Sequence, residues 1–446
     1  MASTYLTRTP SGAGTNSKIF TLSLWIKRCG LGASQAMMGT GNSSGYNSVF
    51  LEFNSNDKLR FAQINAQGAS PTFEFEYITT RVFRDVNSWY HIVCTVDSTD
   101  STEADRVKIY VNGVRETSFS TTNHAGSNST FLWNDARVHS IGRHGEWSAR
   151  YQNGVMSHIH NIDGTAYQAS TFGSTDSTTG EWKINTSPSV TYGTNGWFML
   201  KDDNSVNDDS GNGNNFSLGA GTLTKTEDNP SNVFNVNNPL IVQSANGNHG
   251  YGNTNWSTGA ASWRMTIGTI GATTGKYYAE CQVYGSGGNV HWMNGIVSLD
   301  QNTAHSNQYP GGDSGKLGAA YNWDGQQYVN GSNSNYGASY GNNDIIGIAM
   351  DLDNRKLYFS KNGTWQNSGD PTSGSTGTGA IDIPSSTDAY TFGFAAHNSS
   401  MNCNFGNGYF GGTAVSSAGT NASGIGIFEY DVPTGYTALS TKGLNE

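Results

Sequence analysis

The sequence is poor in cysteine, proline and charge, and it has no long apolar run. Its nine prolines and 13% charged residues are spread over 446 residues. No run approaches the roughly 18 apolar residues of a transmembrane helix, and the N-terminal stretch lacks the apolar segment of a secretory signal. The formal net charge of −10 comes without a basic cluster. We therefore expect neither nucleic-acid binding nor membrane insertion.

The four cysteines are too scattered for a metal centre or a disulfide framework. They are Cys29, Cys94, Cys281 and Cys403, and they form no C-x-x-C pair. Three of them stand in apolar, strand-like runs, which favours small buried thiols made in a reducing cytoplasm. A disulfide between Cys29 and Cys94 remains the alternative.

The sequence is rich in glycine, aromatic residues and turn-forming pairs. It has 57 glycines and 12% aromatic residues, a composition typical of short strands joined by tight turns. Residues 344–363 combine two extended runs with the turn residues Asp353 and Asn354 and a final Asn-Gly pair, and residues 106–113 follow the same pattern. The sequence predicts an all-β fold with two antiparallel β-sandwich (jelly-roll) domains joined by an ordered connector.

The first half contains four motifs in a family-specific order. They read FTLSLWIKR, WYHIVCTVD, VKIYVNGVRE and SIGRHG followed by NGVMSHIHNIDG. This series resembles the laminin-G/concanavalin-A-like lectin sandwich over roughly 18–170. The second half contains GKYYAE, GIVSLD, NNDIIGIAMDLDNRKLYFSKNG and a final FG. That order resembles the SPRY domain, a protein-interaction sandwich with binding loops at one end.

These resemblances and the intervening turn-rich stretches divide the chain into five segments. We expect an N-terminal arm at 1–17, the lectin-like sandwich at 18–200, a connector at 201–254, the SPRY-like sandwich at 255–410 and a C-terminal segment at 411–446. The arm is the candidate attachment element. The connector is expected to be ordered because aromatic residues are interspersed along it.

Further motifs resemble tailed-bacteriophage virion proteins. They are YGTNG before an aromatic residue, DDSGNGN, and the late PTGYTALST. The resemblance implies a structural virion protein, a tail fibre or surface appendage displaying carbohydrate- or host-surface-binding domains for attachment. Its implied partners are capsid or tail proteins and a host surface glycan, and it implies a homo-oligomer, most plausibly a homotrimer, assembled in the host cytoplasm. The alternatives are a purely structural capsid- or tail-decorating protein, a polysaccharide depolymerase and a secreted adhesin, which needs an export signal.

Catalysis is not expected, although the lectin-like fold also hosts glucan hydrolases. Their E-x-D-x-x-E signature has its nearest counterpart in Glu103–Ala–Asp–Arg–Val–Lys108, which ends on lysine where the third carboxylate belongs. Glu74 and Glu76 lie on one strand face about 6.5–7 Å apart, near the spacing of inverting hydrolases. Alternation with aromatic residues explains them more simply as the solvent face of a half-buried strand.

No metal or other cofactor is predicted, although two stretches contain possible metal ligands. Asp208, Ser210 and Asn212 resemble the first half of an EF-hand loop, but Gly219 stands where the bidentate carboxylate belongs. Asp208 and Asp209 therefore remain weak calcium candidates. His158 and His160 are two residues apart and are expected to place two imidazole ligands on one strand face, but the sequence shows no evident third metal ligand.

Aromatic loops are the candidate recognition elements. A mixture of Tyr, Ser, Gly and Asn suits binding surfaces, because rigid rings give contact area while small polar groups adapt their hydrogen bonds. The candidates for carbohydrate or partner binding are His144, Trp147, Tyr151, Tyr309, Trp323, Tyr328 and Tyr336. The alternative is that such rings pack in the core or under the loops.

Overall fold

The protein is described here by a computed structural model that covers residues 4–41, 46–65, 72–145, 149–201, 203–240, 247–285, 289–299, 309–312 and 317–445. The chain divides into two compact units, Met1–Lys225 and Thr226–Glu446. Over the described residues the regular structure consists of β-strands and short 3₁₀ helices, so the all-β prediction is confirmed. No helix in this part of the chain is long and apolar enough to span a membrane.

The strands of the first unit begin close to the N-terminus. They are β1 (Tyr5–Arg8), β2 (Ile19–Arg28), β3 (Gln35–Thr40), β4 (Ser48–Phe53), β5 (Lys58–Ile64), β6 (Phe73–Val82), β7 (Trp89–Asp97), β8 (Val107–Val111), β9 (Val114–Arg115), β10 (Phe119–Asn123), β11 (His139–Ile141), β12 (Gly154–Asp163), β13 (Gly173–Thr175), β14 (Trp182–Ile184), β15 (Trp197–Met199) and β16 (Ser217–Ala220). Two 3₁₀ helices, Glu103–Asp105 and Ala169–Thr171, interrupt them in the described part.

The first unit is a sandwich of antiparallel sheets around one apolar core. One sheet has the order β10-β6-β5-β4-β3-β11-β1-β16 and the other has the order β15-β12-β2-β7-β8-β9. Because side chains alternate across a strand, β2 directs Phe20, Leu22 and Leu24 into the core, where Leu51 and Phe61 of the facing sheet meet them. The hairpin of β13 and β14 forms a separate two-stranded sheet, and its Trp182 stacks on His91 of β7.

The N-terminal stretch is part of this sandwich. Residues 1–17 were expected to form an attachment arm, but β1 pairs with β11 on one side and β16 on the other. Leu6 of β1 is buried in the core of the unit. A strand held on both edges is not available as a free arm, so the described part of this stretch belongs to the sandwich itself.

The second unit adds a further set of strands. They are β17 (Gly247–Gly250), β18 (Asn255–Thr258), β19 (Arg264–Ile267), β20 (Lys276–Tyr284), β21 (His291–Ser298), β22 (Gly318–Asn322), β23 (Gln326–Val329), β24 (Ser332–Asn335), β25 (Ile345–Asp351), β26 (Lys356–Lys361), β27 (Thr364–Trp365), β28 (Ile381–Asp382), β29 (Tyr390–His397), β30 (Ser399–Asn404), β31 (Tyr409–Phe410), β32 (Thr413–Ala414) and β33 (Thr437–Ala438). Its described 3₁₀ helices are Gln366–Ser368, Gly374–Thr376 and Gly443–Asn445.

The second unit is also a sandwich. One sheet follows β17-β18-β30-β20-β25-β26-β27, with β28 added to β26 and β33 to β20, and the other follows β19-β29-β21-β22-β23-β24. Ladder pairs between described strands are antiparallel except for β20 with β33. Ile296 and Phe392 of the second sheet meet Ile348 and Phe359 of the first in the core. The predicted two antiparallel sandwiches are therefore confirmed.

The segments expected as connector and C-terminal tail pack onto the units. The expected connector, 201–254, is divided: β16 completes a sheet of the first unit, and Phe234 packs in the second. In the segment 411–446, Phe428 and Tyr436 cover the outer side of β20 and β26, where they meet Tyr278 and Tyr358. The C-terminal stretch is thus an integral layer of the second unit.

Both predicted Asn-Gly turns are present. Asn112 and Gly113 have φ values of 48° and 78°, and Asn362 and Gly363 have φ values of 48° and 80°. Positive φ at both central residues marks a type I′ turn, which matches the twist of the flanking strands. Between β25 and β26 the positive φ falls on Arg355.

Candidate functional site

The outer face of one sheet of the second unit is apolar and lined by small residues at its centre. Strand register places Gly295 of β21 opposite Gly393 of β29 on one side and Ala320 of β22 on the other. Met265 and Met293 flank this shallow centre and are buried beside Ala320. The Pro310 ring lies over Gly393, with its Cγ 3.2 Å from where a Cβ would stand, so the small residues let another segment of the unit pack against the sheet.

Six half-buried aromatic and imidazole rings follow one another over this face and its rim, and we call them the aromatic strip. Its members are Trp263, His291, Tyr309, Trp323, Tyr328 and His397. The His291 ring stacks on Trp323 with centroids 4.4 Å apart and an interplanar angle of 16°.

The remaining ring contacts make the strip continuous. The His397 ring lies 5.2 Å from His291 and 6.0 Å from Trp263. Tyr309 lies 5.5 Å from Trp263 and 5.7 Å from Tyr328, centroid to centroid. These distances fall in the favourable range for ring pairs, so the strip is a preorganised surface of ring faces and edges.

Burial acts on the pKa values of His291 and Tyr328, and both effects favour the neutral forms of these two side chains. Burial and the neighbouring His397 lower the pKa of His291, and a backbone contact at Val290 and the charge of Asp324 oppose this effect. His397 Nδ1 lies 2.9 Å from the Asn289 carbonyl oxygen. Burial and the nearby Asp324 charge raise the pKa of Tyr328, so its hydroxyl stays protonated. Neutral rings with polar edges can stack on apolar surfaces while donating or accepting hydrogen bonds.

Strand parity explains why His291, His397 and Tyr328 share a face, whereas Trp323 follows the end of β22, packs against the core between the sheets and joins the strip at the rim by stacking on His291. His291 and His397 begin and end their strands directly opposite each other. Both lie an even number of residues from the central Gly295 and Gly393, and the period of two puts them on the same side of the sheet. Tyr328 pairs with Ala320 and reaches that side by the same rule.

The structure brings together three of the four candidates predicted in this half of the chain. Tyr309, Trp323 and Tyr328 belong to the aromatic strip. Tyr336 does not: it is 5% exposed and packs against Tyr321 and Phe359 in the core. Since its ring faces away from solvent, we withdraw Tyr336 as a contact residue.

Of the candidates in the first unit, the structure describes His144 and Tyr151. His144 is 1% exposed, lies edge-on to Phe50 at 4.3 Å, and its Nε2 is 3.2 Å from the Ser48 hydroxyl. Burial, assisted by the charges of Arg150 and Arg60, lowers the pKa of His144 to about 3. Because the His144 side chain is buried, we no longer propose it as a recognition residue.

Tyr151 remains partly accessible in the same loop of the first unit. Its ring lies 6.0 Å from that of Tyr5, centroid to centroid, and the Arg143 guanidinium lies over the Tyr5 ring. Trp147 lies outside the described residues. Tyr151 therefore stays a predicted recognition residue, and it lies beside the contact between Arg143 and Tyr5.

The carboxylate of Asp208 is engaged in holding a turn. Its oxygens accept hydrogen bonds from the Phe198, Ser210 and Asn214 backbone N–H groups and from the Ser210 hydroxyl, at 2.8–2.9 Å. The Asp209 N–H bonds the Phe198 carbonyl. These bonds account for the DDSGNGN motif by turn chemistry. No group of three or more metal-ligating side chains occurs among the described residues.

The carboxylates weighed for catalysis are held by neighbours. The Glu76 carboxylate is 2.6 Å from an Arg60 guanidinium nitrogen, and Glu74 accepts a bond from Asn65 Nδ2 at 3.0 Å. Glu103 belongs to a 3₁₀ helix. The ion pair of Glu76 and the hydrogen bond of Glu74 give both carboxylates a structural role.

Sequence reasoning missed Trp263, His291 and His397. They are far apart in the chain and lie outside the Tyr/Gly/Ser/Asn-rich stretch that pointed to the loops. The available signal was the alternation of 291–298 and 390–397, which leaves a histidine at one end of each strand. This alternation predicts that the two histidines are neighbours only when the register between the two strands is known.

The two sandwich units define the chain as a modular all-β protein. The family model of the concanavalin A-like lectin/glucanases superfamily matches residues 2–165, and that of the SPRY domain matches residues 276–379. The chain thus carries a laminin-G/concanavalin-A-like lectin domain followed by a SPRY domain.

Solved structures similar to the chain include several SPRY domains. The SPRY domain of human HERC1 has 14% identity and a TM-score of 0.29, with coverage of 37% of this chain and 96% of that chain. A human SPRY domain has 18% identity and a TM-score of 0.26, covering 34% and 90%. The TRIM65 PSpry domain has 12% identity and a TM-score of 0.28, covering 38% and 91%. No curated protein matches the chain.

Proposed function

We propose that this protein is a non-enzymatic structural component of a tailed-bacteriophage virion, a fibre or surface appendage that binds a host surface glycan during adsorption. The observation that carries the recognition part is the aromatic strip, six half-buried rings in continuous contact over one sheet face and its rim. The virion part is supported by the motif strings YGTNG, DDSGNGN and PTGYTALST.

The chemistry of the strip suits a sugar. The apolar C–H faces of a pyranose stack on aromatic rings, and the hydroxyl groups need hydrogen-bond partners at the ring edges. Trp323 and Tyr328 provide ring surface, and the Asp324 side chain between them is exposed. A shallow surface of this kind binds weakly at one site.

Several copies of the chain would convert weak binding into firm attachment. Linking sites raises the effective concentration of the second binding event, so avidity exceeds the affinity of a single site. We therefore propose a homo-oligomer, with a trimer favoured, attached to other capsid or tail proteins. Closed symmetry is the usual arrangement of such assemblies.

The test is binding of the purified full-length protein to glycan arrays and host cells. We expect Trp323→Ala and Tyr328→Ala each to lose about 1 kcal/mol of stacking per site, which is about fivefold in affinity. The matched control is Tyr284→Ala. Tyr284 is a 55% exposed tyrosine on β20 in the other sheet, and its removal should leave binding unchanged.

Each part of the proposal would be refuted by a different experimental result. Absence of wild-type binding to arrays and cells would refute the glycan role and favour a purely decorating or cementing protein. Release of reducing ends from host polysaccharide would identify a depolymerase. Imaging of intact particles tests the virion location, and particles without this chain would refute it.

A further inference from the structure

Cys281 and Cys403 lie directly opposite each other in the second unit. Cys281 is on β20, Cys403 is on β30, and the two are register partners in an antiparallel ladder. Their sulfur atoms are 3.8 Å apart, and neither residue is exposed. This proximity was not evident from the sequence, where 121 residues separate them.

The backbone geometry of this pair suits a covalent link. The Cys403 N–H donates to the Thr254 carbonyl at 2.7 Å, so the backbone polar groups of Cys403 face β18 rather than β20. The two cysteines therefore form a non-hydrogen-bonded pair, for which the Cα atoms lie about 4.5 Å apart. That spacing lies at the short end of the range of disulfides, about 4.4–6.8 Å, so joining the sulfurs requires little backbone movement.

The two sulfurs have different surroundings. Asn237 Nδ2 donates to Cys403 Sγ at 3.6 Å, and such a donor stabilises negative charge on that sulfur. The Cys281 thiol donates weakly to the Gln282 carbonyl at 3.9 Å. Burial and the neighbouring Cys403 raise the pKa of Cys281. The Asn237 amide donor on Cys403 therefore assigns the first attack to Cys403 and the second to Cys281.

We propose that Cys281 and Cys403 are a peroxide-oxidisable dithiol that closes into a cross-strand disulfide between β20 and β30. In the first step Cys403 sulfur attacks one oxygen of hydrogen peroxide, the O–O bond breaks, and the products are a Cys403 sulfenic acid and water. In the second step Cys281 sulfur attacks the sulfenic sulfur, the S–O bond breaks, and a second water leaves. Two thiols are oxidised to one disulfide, and one peroxide is reduced to two waters.

The disulfide would strengthen the second unit against unfolding. It would close a loop from 281 to 403, which contains β21 to β29. Restricting so long a loop in the unfolded chain favours the folded state. The unit would then be more resistant to denaturant under oxidising conditions than under reducing ones.

The test uses the full-length protein, purified with reductant and then treated with hydrogen peroxide. Peptide mapping by mass spectrometry should find one species two hydrogens lighter, with the peptides of Cys281 and Cys403 linked. The urea midpoint of the second unit, followed by hydrogen exchange in β20, should rise and should return when dithiothreitol is added. In Cys281→Ala, dimedone should label Cys403, because no second thiol resolves the sulfenic acid.

Cys94 and Cys29 serve as internal controls in the same molecule. The ladder partners of Cys94 are Leu22 and Ile109, not Cys29, so peroxide should not link these two thiols. Four free thiols after peroxide treatment, or a first disulfide at any other pair, would overturn the proposal. A Cys281–Cys403 bond that lowers the urea midpoint would equally overturn it. These readouts are independent of any glycan or virion role.

Discussion

The carboxyl of Glu280 should make the second unit less stable as pH rises toward neutrality. Glu280 is fully buried in β20. Oε1 accepts bonds from the Tyr430 N–H at 2.8 Å and the Tyr278 hydroxyl at 3.1 Å. Oε2 accepts bonds from the Glu429 N–H at 2.8 Å and from Asn404 Nδ2 at 3.3 Å. The side chain therefore fastens the C-terminal layer to the sheet.

Two effects oppose each other at this carboxyl, and burial is the larger. Removal from water disfavours the charged form, the four donors favour it, and the net result raises the pKa of Glu280 to about 7. Between the ordinary value of about 4.5 and 7, the folded state binds the proton that the unfolded state has lost. Stability must therefore fall as pH rises through this window. At 1.36 kcal/mol per pH unit, the loss is about 3 kcal/mol, complete above pH 7.

The assay compares wild type with Glu280→Gln across a pH series from 4.5 to 8. Urea unfolding is followed by hydrogen exchange in peptides covering β20 and residues 428–432, which report on the second unit. Glutamine does not titrate, although its amide group opposes two of the donors and lowers stability by a constant amount of about 1–3 kcal/mol. The difference between the two proteins cancels every group that they share. Its change with pH therefore isolates Glu280.

Two results would refute this reasoning. A difference that stays constant with pH would mean that the four donors offset burial completely. A difference that moves the other way, with wild type gaining stability as pH rises, would mean that the donors outweigh burial and hold Glu280 ionised. In either case the carboxylate would be a plain structural bridge.

Three further predictions concern the first unit, each measured by urea unfolding followed by hydrogen exchange. Gly196→Ala should lose about 3 kcal/mol or more, because a Cβ would lie 1.9 Å from the Tyr192 carbonyl oxygen. His91 has its pKa lowered to about 3 by burial, so it should contribute about 5 kcal/mol to the stability that the unit loses between pH 6.5 and 3, and His91→Gln should reduce the acid dependence by that amount while other buried histidines such as His144 keep theirs. Asp208→Ala should lose about 2–3 kcal/mol, since four hydrogen bonds end on its carboxylate.

Each of these predictions has a control and a contrary outcome. Gly12→Ala should be neutral, because no atom lies within 4 Å of the added Cβ; equal losses at 12 and 196 would refute the steric argument. Asp203 accepts a bond from the Ser205 N–H on the surface, so Asp203→Ala should cost little. Calcium that stabilises wild type but not Asp208→Ala would restore the metal site. For His91, an unchanged acid dependence in the glutamine variant would assign the effect to other groups.

Strands with one face in the core were predictable from the sequence. Apolar residues alternate in the motifs FTLSLWIKR and WYHIVCTVD, which coincide with β2 and β7, because every second side chain of such a strand enters the apolar core. Short polar strands were not predictable in this way. β16 and β24 are exposed at every residue, and pairing with a neighbour, rather than burial of one face, holds them in place.

The site was predictable in composition but not in assembly. The aromatic stretch pointed to Tyr309, Trp323 and Tyr328 because such side chains are common on recognition surfaces. His291 and His397 entered the strip through strand register, a relation between distant segments that no local pattern contains. Register depends on the packing of whole strands.

The contrast between Tyr328 and the core tyrosines shows what decides the role of a ring in this region. The Tyr336 hydroxyl accepts the Phe359 N–H at 3.2 Å, and the Tyr340 hydroxyl donates to the Tyr321 carbonyl at 2.8 Å. A tyrosine can be buried when its hydroxyl finds a partner inside, so composition alone does not separate core rings from surface rings. The Tyr340 N–H also donates to the Trp323 carbonyl at 2.9 Å. Tyr340 therefore joins a ring buried in the core to a backbone bond on the loop that carries Trp323 of the aromatic strip.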